Sequence, residues 1–231
     1  TIDYGPCAFM DAYDPNTVFS SIDHMGRYAY ANQPVIAGWN IARLAEALLP
    51  LIDPDIDKAV AKAEEAINGF PDLYQKKWLA MMRAKLGLFE AQDGDEQLIS
   101  DLLDWMQKNH ADYTNTFRDL TMDKKPDGMP YDTKVFTSWY DRWQVRLGQN
   151  TKPLKSSLCL MKNTNPAVIP RNHKVEEALE AANADDLQPF YDLLAALKEP
   201  YKDPDKDNDS FKTYQSPPAP SLRVYQTFCG T

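Results

Sequence analysis

The sequence predicts an all-α protein. Between residues 34 and 198, apolar residues recur at intervals near 3.6 in one segment after another, which is the period of a helix with one buried face. Alternation of apolar and polar residues, the pattern of a strand, is almost absent from the sequence. Glycines and prolines, which break helices, separate the periodic segments. We therefore expect a body of short helices preceded by a long loop.

Residues 1–33 are expected to form that loop. They are rich in Asp, Tyr, Pro and Gly, and no apolar period is sustained among them. Loops this long are more often functional segments than simple connectors. The predicted organisation is therefore a functional segment over residues 1–33, a helical body over residues 34–200, and a Pro-rich, acidic tail over residues 201–231 that is extended.

Four helices are predicted in the first half of the body. The first begins at Pro34, which lies in its first turn, is ended by Pro50 and Pro54, and should be largely buried because it is so apolar. The next two cover residues 55–69 and 71–86, each followed or closed by a glycine. Residues 95–109 carry an amphipathic pattern and form the fourth.

Five further helices are predicted in the second half. They cover residues 111–120, 133–147, 154–161, 172–183 and 185–198. The third and fourth are separated by two prolines within a few residues, which hold the chain extended between them.

Some side chains of these helices have predictable surroundings. Trp139 and Trp143 lie four residues apart, so they share one face of their helix and should stack in the core. Cys159, within an apolar run, is expected to be buried. Arg118 and Arg171 are expected to pair with acidic side chains.

The charge balance disfavours nucleic acid as a partner. The chain has 25 basic and 34 acidic residues, a formal net charge of −9, and its basic residues are scattered. No run of about 18 apolar residues stands out as a membrane span, and no secretory leader is recognisable. The sequence therefore predicts a soluble, cytoplasmic protein without a membrane partner. Because it starts at Thr1 without an initiator Met, we expect it to be part of a longer protein.

The candidate metal ligand is Asp3, in the triplet Asp3-Tyr4-Gly5. The glycine allows a sharp backbone turn after the carboxylate, and protein kinases use Asp-Phe-Gly in this way to hold magnesium beside nucleotide phosphates. Three residues alone are a weak signal, so an Asp in a surface turn stays the alternative.

Asp residues at 203, 205, 207 and 209 alternate as in a calcium loop, but Asn208 and Tyr214 stand where Gly and Glu are needed, which favours a solvated acidic turn.

Longer motifs occur in order along the whole chain. They are Asp3-Tyr4-Gly5-Pro6, Asp23-His24-Met25-Gly26-Arg27-Tyr28, Asn32-Gln33-Pro34, Trp39-Asn40, Asp112 to Arg118, the helix with Trp139, Trp143 and Arg146, Asn165 to Asn172, and Tyr225 to Thr231. Together they resemble the selenoprotein O family. The resemblance implies the C-terminal helical lobe of a kinase-like fold, with residues 1–33 as its activation-type segment.

The resemblance also implies an activity. Members of this family are protein adenylyltransferases, which transfer AMP from ATP to Ser, Thr or Tyr hydroxyls of other proteins. Asp3 would bind the divalent ion, Mg²⁺ or Mn²⁺, that bridges the ATP phosphates. The catalytic base and a second metal ligand would lie upstream of Thr1, so no catalytic residue is expected within the chain and the isolated chain should be inactive. His24 lies where kinase-like enzymes place their protein substrate, although His24 and Arg27 could equally pin the loop to the helices.

The cysteines have no zinc-ligand spacing. The family resemblance places a selenocysteine or cysteine near the C-terminal end, where this chain has Cys229. A redox bridge between Cys7 and Cys229 is one hypothesis, and two free thiols are the alternative.

Two other functions stay open at this point: a non-catalytic helical interaction module, in which Asp3 is a turn residue, and a kinase that transfers phosphate.

Overall fold

The computed structural model describes residues 8–122, 124–203 and 209–219, with the side chains of residues 209–211 left out. Every regular secondary-structure element within these ranges is a helix, as the sequence predicted. The one β-type pairing within them is an isolated bridge between Ala12 and Asp112. Asp3, Cys7 and Cys229 lie outside the described residues, so the predicted metal ligand and the Cys7–Cys229 bridge stay predictions.

The first three helices follow one another closely. They are α1 (Gln33–Ile52), α2 (Ile56–Asn68) and α3 (Phe70–Lys85), and a short 3₁₀ turn, Tyr30–Asn32, leads into α1. The Asp55 carboxylate caps α2 by accepting hydrogen bonds from the backbone N–H groups of residues 57 and 58. Both α2 and α3 agree with their predicted ranges to within one residue.

Of the two prolines predicted to end α1, only Pro54 does so. Pro50 lies inside the helix, which continues for two more residues to Ile52. The chain leaves the helix at Asp53, whose backbone is extended, with φ −155° and ψ 143°. Asp53 precedes Pro54, and a proline disfavours the helical conformation in the residue before it. Pro54 therefore ends α1, whereas Pro50 only removes one backbone donor near its end.

The predicted burial of α1 is also wrong. None of its residues is buried, and Val35 and Leu51 are 72% and 82% exposed. Among the described residues, Tyr30–Ile52 is the one helix long and apolar enough to cross a membrane, with mean hydropathy 1.4 over an 18-residue window. The expectation that no such segment exists is therefore not upheld. Core helices of soluble proteins pass the same test of length and hydropathy. The burial prediction failed because apolar periodicity shows that one face of a helix is apolar but not whether another element covers that face.

The core lies among α3, α4 (Asp95–Lys108), α5 (Tyr113–Asp119), α6 (Lys134–Leu147) and α7 (Leu154–Thr164). Its largest fully buried apolar side chains come from α3, α4, α5 and α6 and from Leu86 and Leu120 directly after α3 and α5. They are Met82, Leu86, Ile99, Leu102, Trp105, Met106, Phe117, Leu120, Phe136, Trp139 and Trp143.

Three tryptophans organise this core. Trp139 and Trp143 stack as predicted, with ring centroids 5.8 Å apart and planes within 10°. Their indole N–H groups donate to the backbone oxygens of Leu98 and Leu86 at 2.8 and 3.0 Å, and the indole of Trp105 donates to Thr133 Oγ1 at 3.1 Å. Each buried indole thus keeps a hydrogen bond while its ring excludes water.

Cys159 is exposed, so the prediction that it is buried is wrong. On α7 the buried residues are Ser157 and Met161, two positions before and two after it. Residues two apart on a helix point about 200° away from each other, so a helix that buries 157 and 161 turns 159 to solvent. The apolar neighbours in sequence did not reveal this phase.

The last helices are α8 (Asn172–Asn183), α9 (Gln188–Leu197) and α10 (Asp209–Gln215). The prediction of an extended tail is wrong at α10. Gln215 anchors this helix, because its backbone oxygen accepts from Arg171 Nη2 at 2.9 Å and its amide donates to the Ala167 oxygen at 2.9 Å. These partners lie more than 40 residues away, so local sequence did not indicate them.

Candidate functional site

The candidate site is the segment that follows Asp3. Asp3 itself is outside the described residues, and the description of the segment begins at residue 8. Within residues 8–122, 124–203 and 209–219, no group of three or more His, Cys, Asp or Glu side chains could hold a metal. What the structure adds is how residues 8–32 are held on the helical body.

Backbone pairing holds the first part of the segment. The Tyr13 N–H donates to the Ala111 oxygen at 2.9 Å, and the Tyr113 N–H donates to the Asp11 oxygen at 2.8 Å. These two bonds flank the bridge between Ala12 and Asp112. The segment therefore pairs with the entry of α5 as a two-stranded ladder pairs, which fixes its register.

Arg171 is the main side-chain anchor of the segment. Its Nη1 lies 2.6 Å from Asp11 Oδ1 and 2.6 Å from Asp112 Oδ2, and its Nη2 lies 3.1 Å from the other oxygen of Asp112. Only 1% of the Arg171 side chain is exposed. One guanidinium thus joins the segment, α5, α8 and α10, which confirms that Arg171 pairs with acidic side chains.

Three tyrosines pack beside this anchor. The rings of Tyr13 and Tyr113 stack with centroids 5.7 Å apart, and Tyr30 meets Tyr13 edge-on at 6.1 Å. Burial, followed by the neighbouring Tyr30 and two carboxylates, raises the pKa of Tyr13 to about 12. Since Tyr13 and Tyr30 belong to the segment and Tyr113 to α5, the cluster closes both ends of the segment onto the body.

Between these ends the chain forms a compact loop. The Tyr30 N–H donates to the Thr17 oxygen at 3.0 Å, and the Ala31 N–H donates to the Pro15 oxygen at 2.9 Å. At the tip of the loop the Asp23 carboxylate accepts two backbone hydrogen bonds, and the neighbouring His24 side chain is exposed. Residues 8–29 form no helix, as the sequence predicted for this part of the segment.

Lys85 is a residue that sequence reasoning missed. Its ammonium lies 3.2 Å from Asn165 Oδ1, 4.6 Å from the Phe117 ring centroid and 5.3 Å from that of Tyr113. Burial lowers the pKa of Lys85 to about 8. A lysine near the end of a helix is ordinary in sequence, so nothing local signalled that this one lies against Tyr113, the α5 member of the tyrosine cluster.

Arg118 forms a second buried anchor. Its guanidinium binds Asp203 and donates to the Asn165 oxygen at 2.9 Å, and Asp203 also accepts from Lys162 at 2.7 Å. The predicted pairing of Arg118 with an acidic side chain is therefore confirmed. Asp203 is the first residue of the alternating acidic run, and it serves here as an ion-pair partner of two cations.

Comparison with known proteins gives this arrangement a context. The family model described as protein adenylyltransferase SelO matches residues 1–198. The protein nucleotidyltransferase YdiU of Nitrosococcus oceani is 62% identical over the whole of this chain, which covers 46% of that protein. The proteins of the same name from Alcanivorax borkumensis and Alkaliphilus metalliredigens are 56% and 53% identical over the whole chain, which covers 47% and 46% of them. The chain thus spans about half the length of the curated relatives it matches.

Proposed function

The chain belongs to the SelO family of protein adenylyltransferases, and we propose that it forms the C-terminal helical lobe of a kinase-like enzyme that transfers AMP from ATP to hydroxyl side chains of proteins. The observation that carries this proposal is the 62% identity, over every residue of the chain, to a protein nucleotidyltransferase. Because the chain spans 46% of that relative, the activity is proposed for the full-length protein and not for the isolated chain.

We assign Asp3 the role of holding Mg²⁺ or Mn²⁺ beside the ATP phosphates. A single hard carboxylate suits such an ion, which keeps several waters and takes its other ligands from one further carboxylate or amide and from the phosphates. When bound, the ion supplies positive charge next to the phosphates. The remaining ligand and the catalytic base are assigned to the part of the full-length protein upstream of Thr1.

The described residues support this role by holding the segment that follows Asp3. Arg171 and the Tyr13–Ala111 backbone bond fix residues 11–13, which begin four residues after the last undescribed residue of the start, residue 7. A fixed segment would present a protein hydroxyl to the α-phosphorus with little loss of conformational entropy, which is how positioning accelerates a transfer reaction. Attack by that hydroxyl would release pyrophosphate and leave AMP on the protein.

The experiment uses the full-length protein with Mg²⁺ or Mn²⁺ and ATP labelled at the α or the γ phosphorus. Label on protein from the α position only is expected, and Asp3→Ala should abolish it. Asp127→Ala, which removes an exposed carboxylate in a loop, is the matched control and should leave transfer unchanged. Label from the γ position would instead establish a phosphate-transferring kinase. The isolated chain should not transfer AMP at the rate of the full-length protein.

A second candidate is a non-catalytic interaction module. The observation that favours it is the apolar helix α1, on which no residue is buried. In that case the full-length protein would transfer no label from either position of ATP, and Asp3→Ala would change nothing.

We further propose a cytoplasmic location, because an odd number of dispersed cysteines is unlike the disulfide framework of a secreted protein.

A further inference from the structure

The loop tip at residues 23–28 is built to hold one shape. Asp23 accepts hydrogen bonds from the backbone N–H groups of Arg27 and Tyr28, both at 2.8 Å. Gly26 has φ +64°, and its oxygen accepts from Asn32 Nδ2 at 2.8 Å. Because these bonds are made by the backbone and by short side chains, the long side chain of Arg27 is left to project from a fixed base.

Arg27 projects over a tryptophan of α1. Its guanidinium carbon lies 4.9 Å from the ring centroid of Trp39, and the guanidinium carbon of Arg43 lies 5.5 Å from the same ring. The indole is 49% exposed, so this stack of Arg27, Trp39 and Arg43, here called the arginine–tryptophan patch, faces solvent. A guanidinium that stacks on an aromatic face keeps its N–H edge free for a carboxylate.

One of the two arginines of this patch has no ion-pair partner among the described residues, and the pair of the other is exposed. Among the described residues Arg27 makes no ion pair, and the pair of Arg43 is with Glu46 at 2.5 Å, where both side chains are more than half exposed. An exposed pair one helical turn apart is weak and exchanges readily with other partners. The patch is therefore a local concentration of positive charge on a chain whose formal net charge is −9.

We infer that the arginine–tryptophan patch binds an acidic segment of the protein substrate. This inference rests on the proposed function, because it assumes that the segment after Asp3 meets a protein substrate. Charge complementarity specifies the occupant: two guanidiniums held by one indole match carboxylates. Arginine and tryptophan are the residue types that dominate binding energy at protein interfaces, and Met25, 92% exposed on the same loop tip, adds apolar area beside them.

The test measures binding separately from transfer. Two fluorescein-labelled peptides with one Tyr are used, one flanked by Glu and one by Lys, and their affinity for the full-length protein is measured by fluorescence anisotropy without ATP. The wild type should bind the Glu peptide more tightly. Arg27→Glu with Arg43→Glu should weaken that binding about tenfold and favour the Lys peptide, as expected for a few charge-assisted contacts.

The matched control is Lys155→Glu with Lys198→Glu, which makes the same change of charge at exposed positions on α7 and directly after α9. Equal affinity of the wild type for both peptides, or an equal effect of the two double variants, would overturn the inference. Should the double variant not fold, Arg27→Gln alone is expected to weaken binding of the Glu peptide about threefold. An unchanged affinity of this single variant would also overturn the inference.

Transfer of AMP to the two peptides is followed after ATP and Mg²⁺ or Mn²⁺ are added to the same proteins and peptides. A patch variant that loses preference for the Glu peptide, while the wild type transfers AMP to it, supports both proposals. Charge-dependent binding with no AMP transfer to any protein would refute the proposed function and leave the patch as a site for acidic segments. Transfer without charge-dependent binding would refute the patch alone.

Discussion

Replacing Arg171 by Met should release the segment after Asp3 from the helical body. The side chain is 1% exposed and binds Asp11 and Asp112, so its removal leaves two carboxylates without their cation. Met keeps much of the length and apolar volume of the arginine stem, so loss of packing contributes little. The expected result is local opening around residues 11–13, with smaller effects elsewhere.

The magnitude follows from the burial of the partners. Breaking a fully buried ion pair costs about 3–5 kcal/mol. The lower end of that range applies here, because the carboxylates of Asp11 and Asp112 are 21% and 12% exposed and water partly replaces the lost partner. A cost of about 3 kcal/mol corresponds to roughly a 150-fold change in an opening equilibrium.

Amide hydrogen exchange measures this opening directly. The reporting amides are Tyr13 and Tyr113, whose N–H groups form the bonds that pair the segment with α5. The matched control is Arg142→Met, since the pair of Arg142 with Asp101 is exposed and should change exchange by no more than about fivefold. If Arg171→Met accelerates exchange of the two amides no more than Arg142→Met does, the reasoning that burial makes the Arg171 pair strong is refuted.

Two further predictions concern stability. Burial holds the pKa of Lys85 at about 8 in the folded protein, below its value of 10.5 in the unfolded chain. Between these two pH values the unfolded chain binds more protons, so the free energy of unfolding of the wild type should rise from pH 8 to about 10, by up to about 3 kcal/mol. Lys85→Met should remove this pH dependence. Urea unfolding at pH 7.5 and 9.5 checks this, and an equal rise in the variant contradicts it. Gly87→Ala should lower the free energy of unfolding by about 1–3 kcal/mol, because φ is +74° and the new Cβ would lie 2.9 Å from Met161 Sδ. Gly148→Ala, where φ is −63°, is its control and should change stability by less than about 0.5 kcal/mol in the same urea experiment.

The prediction of helices succeeded where local signals were strong. The range of α2 followed from Asp55 as a capping residue and Gly69 just past its end, and both act through bonds within a few residues of themselves. The stacking of Trp139 and Trp143 followed from their spacing, because residues four apart lie on one helix face whatever surrounds the helix. Similarly, Asp3 and the motifs after it indicated the family, which the comparisons confirmed.

The sequence by itself determined the helical class, most helix boundaries and the family, because each depends on motifs or periods of residues close together along the chain. Only the tertiary structure decided that no residue of α1 is buried, that Cys159 is exposed, and that Arg171 joins Asp11 to Asp112 across 160 and 59 positions. Periodicity gives the phase of an apolar face but not its partner. Burial, the pKa of Lys85 and the strength of an ion pair all depend on which distant residues exclude water, and that is a property of the folded chain.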